Sequence, residues 1–67
     1  MADFIKVTEI VEMTREPYEY DAERWISKYH ITEMEDDKAH NQSLLTYDGR
    51  EMKIRESVEQ IIALCKE

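Results

Sequence analysis

The chain has 67 residues, 42% hydrophobic and 37% charged, with a single Gly and a single Pro. That length holds one domain and no second core, and the apolar content is too high for a disordered segment. Sixteen acidic against nine basic residues leave a formal net charge of -7. This opposes direct binding to nucleic acid, because neutralising phosphates needs clustered Lys and Arg, and here they are dispersed from Lys6 to Lys66.

Taken in chain order, residues 4–13 predict a strand rich in Ile, Val and Thr. Ile5, Val7, Val11 and Met13 share one parity, Phe4 and Ile10 lie on the other, and a bulge is expected near Glu9-Ile10. Thr14-Arg15-Glu16-Pro17 breaks the pattern, since Pro17 cannot donate to a central ladder. Tyr18-Glu19-Tyr20 predicts a short strand returning on the first. Asp21 then sits where it caps a brief helical turn through Ala22, Glu23 and Arg24. Residues 25–35 resume a β pattern, with Trp25, Tyr29 and Ile31 on one parity, and the polar run 36–42 reads as a loop.

The last third carries the clearest signals. Strands at 43–47 and 51–55 flank Asp48-Gly49, the pair that a type I′ turn requires because both central residues take positive φ. Ser57 and Gln60 form a capping pair ahead of Val58, Ile61, Ile62 and Cys65, an apolar stripe at i, i+3, i+4 and i+7. A helix of about ten residues is marginal alone, so the stripe is expected to pack over Ile54, Met52, Leu45 and Ile5. The fold class is α+β: a small antiparallel β-sheet of 4–5 short strands with one C-terminal amphipathic helix on it, in a single domain over residues 1–67.

No apolar run approaches the ~18 residues of a membrane span, and no signal-peptide core opens the chain. Cys65, the only cysteine, excludes an intramolecular disulfide and reads as a small core residue. A cytoplasmic, reducing location follows as an expectation. No Ser/His/acid, Cys/His or phosphate-cradling pattern is found, and His30 reads as a half-exposed strand residue. Oxygen and nitrogen ligands crowd between Glu33 and Asn41. A Ca²⁺ loop started at Asp36 nonetheless meets Asn41 and Tyr47 where Gly and Glu are needed. The chain is therefore expected to be no enzyme, with no catalytic residue, cofactor or metal.

Two binding modes remain. One is addition of a partner strand, or of a second copy, to an open sheet edge, or docking on an aromatic patch of Tyr18, Tyr20, Trp25 and Tyr29. The alternative uses two acidic clusters as a phosphate-like array, in the manner of an acidic phage-type inhibitor that mimics nucleic acid and blocks a nucleic-acid-binding protein. The clusters are Glu16, Glu19, Asp21 and Glu23, and Glu33, Glu35, Asp36 and Asp37.

Ile5-Lys6-Val7-Thr8, Tyr18-x-Tyr20-Asp21 leading to Ile26, and above all Leu44-Leu45-Thr46 through Asp48-Gly49-Arg50 to Ile54-Arg55-Glu56-Ser57-Val58-Glu59-Gln60-Ile61-Ile62 carry a family likeness. The chain resembles, over about residues 4–64, the short bacterial FlbD-like proteins associated with flagellar and swarming motility. It departs from them at Thr14-Arg15-Glu16-Pro17, where the family tends to have an Asn-Gly turn, and in its longer 36–42 loop. The resemblance implies an accessory or regulatory protein that acts through protein contacts and has no catalytic residues.

Overall fold

A computed structural model describes residues 3–67. Five strands, β1 (Phe4–Glu12), β2 (Glu19–Ser27), β3 (Ile31–Asp37), β4 (Gln42–Tyr47) and β5 (Arg50–Ile54), precede one helix, α1 (Val58–Cys65). Single 3₁₀ turns, Lys28–His30 and Lys38–His40, join β2 to β3 and β3 to β4. All pairings are antiparallel, in the spatial order β2-β1-β5-β4-β3. The α+β expectation holds, with five strands and the C-terminal helix in place.

The registers force this sheet to coil. Ala22, Glu9, Ile54, Ser43 and Asp36 form one row across it. Ser27 stands five residues above that row, and Ile31, opposite Tyr47, stands four residues below it. In a flat sheet those nine residues of rise would separate β2's end from β3's start by about 30 Å. The connection has four peptide links and reaches no more than about 15 Å. The sheet is therefore wound towards a barrel, which brings the end of β2 against β4: the Ser27 amide donates to Tyr47 Oη at 3.3 Å.

Ile5, Val7, Ile26, Leu45, Met52 and Ile54 point into the coil, and Ile61 of α1 closes it. Four of the residues expected under the helix, Ile5, Leu45, Met52 and Ile54, are in this cluster. Ser43 is buried among them and stays satisfied because its Oγ donates to the Glu56 carbonyl at 2.6 Å. Helix α1 starts with both halves of a capping box: Ser57 Oγ accepts from the Gln60 amide at 3.1 Å, and the Ser57 amide donates to Gln60 Oε1 at 2.8 Å. Asp48 and Gly49 have φ of 51° and 77°, as the type I′ expectation requires.

Five local expectations are overturned. β1 pairs with β2 without a register break from Phe4 to Glu12, so there is no bulge at Glu9-Ile10 against β2. No helical turn follows Asp21, because β2 runs unbroken from Glu19 to Ser27 as the partner of nine β1 residues, and that ladder outweighs a local cap. The β pattern of 25–35 is interrupted by the Lys28–His30 turn, and β3 extends through Asp37 into the stretch expected to be loop. Finally, Ile62 faces outward; Leu64 joins Ile61 and Cys65 on the buried side.

Candidate binding surface

The strand alternation that buries Ile5 and Val7 turns Phe4, Lys6, Thr8 and Ile10 to the outer face of β1. Opposite Lys6, Thr8, Ile10 and Glu12 on the same face stand Trp25, Glu23, Asp21 and Glu19 of β2. Ion pairs cover part of this face. Lys6 Nζ meets Glu23 Oε2 at 2.7 Å, Lys53 pairs with Glu12, and Arg55 bonds Asp21 Oδ1 through Nε at 3.1 Å and Glu19 Oε1 through Nη2 at 3.3 Å. To reach β2 from β5, the Arg55 stem crosses β1. Ile10, which lies beneath that crossing, is buried although it faces away from the core. The hydrogen bond and charge of Lys53 hold the Glu12 carboxyl below its ordinary range, and the hydrogen bond to Asp21 leads the rise in Arg55.

The four candidate aromatics do not form one patch. Tyr20 is opposite Val11 and Trp25 opposite Lys6, about 17 Å apart along β2 and on opposite faces. Tyr18 belongs to the hairpin turn, where the Met13 amide donates to its carbonyl at 2.7 Å. Trp25 and Tyr29 remain at the other end, 67% and 68% exposed. Phe4, 54% exposed, completes that end, being diagonal to Trp25 on the outer face. Tyr29 is held beside it by a 3.3 Å hydrogen bond from its hydroxyl to Asp3 Oδ1. Phe4 was absent from the sequence-derived candidates, although its parity opposite Ile5 and Val7 was the signal that could have placed it outside.

The acidic candidates are divided between two strands and approach each other only at Glu19 and Asp37, which line one shallow pocket with Glu12, Glu51 and Lys53. Glu19, Asp21 and Glu23 lie on β2 and are engaged by Arg55 and Lys6. Glu16 sits in the turn before β2, while Glu33, Glu35, Asp36 and Asp37 lie on β3, at the far edge of the strand order. Asp36 Oδ1 accepts from the Val58 amide at 3.2 Å, which helps start α1, and Asp37 Oδ2 meets His40 Nδ1 at 2.9 Å. Two of the four β3 carboxylates thus have structural work. Among the described residues, no three His, Cys, Asp or Glu side chains converge on a metal-sized site. No helix among the described residues is long and apolar enough to cross a membrane. His30 lies in the 3₁₀ turn rather than a strand, with Nδ1 3.1 Å from Asp48 Oδ1. Cys65 is a free, half-buried thiol packed on the core, as expected of a small apolar residue.

Comparison with protein-family models, curated proteins and solved structures finds no match to this chain.

Proposed function

We propose that the chain is a small non-enzymatic protein-binding module, accessory or regulatory in the manner implied by its resemblance to FlbD-like motility proteins. The observation that carries this is the Phe4–Trp25–Tyr29 surface: three large aromatics more than half exposed at one end of a 67-residue fold. A folded chain this small gains by burying such rings, and leaving them out suits an interface, where Trp and Tyr anchor binding disproportionately. The acidic-mimic alternative is weaker. Three carboxylates of its first cluster are matched by cations, and two of its second, Asp36 and Asp37, are engaged by the Val58 amide and by His40.

The test is capture of partners from a bacterial lysate by the tagged chain at low and high salt, with Trp25→Ala alongside. An aromatic interface holds its partner at high salt and loses it on Trp25→Ala. A basic nucleic-acid-binding partner released by salt and indifferent to Trp25→Ala favours the mimic instead.

A further inference from the structure

β1 is paired along its whole length with β2, but with β5 only where Glu9 meets Ile54. Beyond that point the chain leaves the sheet for α1. The Thr8 carbonyl accepts from the Arg55 amide at 2.9 Å. The Thr8 amide, lacking a strand partner, donates to Glu56 Oε1 at 2.7 Å, while Thr8 Oγ1 donates to Glu56 Oε2 at 3.0 Å. Backbone groups alternate sides along a strand, so the N–H and C=O of Phe4 and Lys6 point the same way as those of Thr8. Among the described residues, nothing bonds to them there. Facing this free edge is α1, and between the two runs a groove of about 500 Å³ walled by Ala63 and Leu64 and rimmed by Lys6 and Glu67.

We infer that this groove accepts an extended, basic segment of a partner protein as an added strand, pairing with the free backbone of Phe4 and Lys6. This rests on the protein-binding function proposed above and deepens it. Main-chain bonds supply affinity in strand addition, and side-chain pockets supply choice. On the inner side of the added strand, Ala63 and Leu64 receive an apolar side chain. On the outer side, residues of the added strand come beside Phe4, continuous with Trp25, where a Lys or Arg finds aromatic faces. Charge selects the occupant. Lys6 is already taken by Glu23, which leaves Glu56 and Glu67 to set the sign of the groove. A second copy would have to offer β3, with Glu33, Glu35, Asp36 and Asp37, its own β1 edge, flanked by its own Glu56 and Glu67, or β2, whose Glu19, Asp21 and Glu23 are already matched by Arg55 and Lys6. The first two bring like charge to an acidic groove and the third brings no attraction, whereas a basic strand brings the opposite charge.

Alternating octapeptides test this: one panel with Lys and either Val, Leu or Phe, and a matched panel with Glu in place of Lys, read by amide NMR on the full chain. The Lys panel should bind at least about tenfold tighter than the Glu panel and slow hydrogen exchange at the Phe4 and Lys6 amides. N-methylation of the peptide amides that face β1 should abolish that protection. Ala63→Arg, at an exposed helix position, should weaken binding at least about tenfold with the fold intact. Equal binding of both panels, no binding, or protection elsewhere overturns the inference. So does a dimer, seen by ultracentrifugation, that protects the same two amides. Lysate capture lost on Trp25→Ala without any peptide protection at β1 removes the groove and leaves the interaction module standing. Protection at Phe4 and Lys6 with capture indifferent to Trp25→Ala keeps the groove and removes the aromatic surface.

Discussion

Ile61 is where the seat of the helix is most sharply tested. Its side chain is fully buried against the coiled sheet, while its neighbour Ile62 is 40% exposed. Ile61→Ala removes three side-chain carbons, worth about 2.4 kcal/mol in transfer alone, and the unfilled space brings the expected loss to about 3 kcal/mol. A domain of this length has a total stability of about 3–10 kcal/mol, so the variant should sit at the edge of unfolding. Its thermal midpoint should fall by about 12–24 °C. Ile61→Val, short of one methyl, should lose about 1 kcal/mol, and Ile62→Ala less than that. Thermal and urea melts followed by circular dichroism give all three numbers. If Ile62→Ala were as damaging as Ile61→Ala, the helix would be rotated by about 100° from the placement described, and the packing account would fail.

Ser57→Ala, which removes one half of the capping box, should cost about 1 kcal/mol in the same urea melts, with Ser57→Asp close to wild type. Glu56→Ala should cost about 1–3 kcal/mol by stranding the Thr8 amide. Glu56→Gln, whose Oε1 still accepts from that amide, should recover most of it, and equal losses would refute the clamp. On the outer face, Arg55→Met should melt above Arg55→Ala, because the stem over Ile10 matters more than an exposed charge; the reverse order would mean that the ion pairs protect Ile10. Glu12 should titrate below the ordinary glutamate range by carboxyl NMR and return to that range in Lys53→Met. Because its folded pKa is depressed, the stabilisation it brings is present above the ordinary glutamate pKa and disappears as pH falls through the lower, folded one.

Much of this fold was legible in the sequence because it is local. Asp48-Gly49 needs only the φ freedom of its own residues, the Ser57–Gln60 cap needs three residues' separation, and the parity of Ile5 and Val7 follows from the pleat. The misreadings share one cause. Asp21 has the chemistry of a helix cap and became the middle of a nine-residue strand because β1 offered a continuous ladder, which no feature within 21–24 reveals. Ile62 matches Ile61 in type and spacing. Only the angle at which α1 meets the coiled sheet decides which of them is buried.

The same division governs the binding surface. Composition and spacing determined that the chain is rich in aromatics for its length and carries a net charge of -7. Tertiary structure decided that Tyr18 and Tyr20 part company with Trp25 and Tyr29, that Phe4 joins the latter pair, and that most of the first acidic cluster is matched by Lys6 and Arg55. It also decided where β1 loses its partner. That edge exists because β5 leaves the sheet after Ile54 for α1, and the level on β1 at which it leaves, opposite Glu9, is set by the register between the two strands, which no single segment encodes.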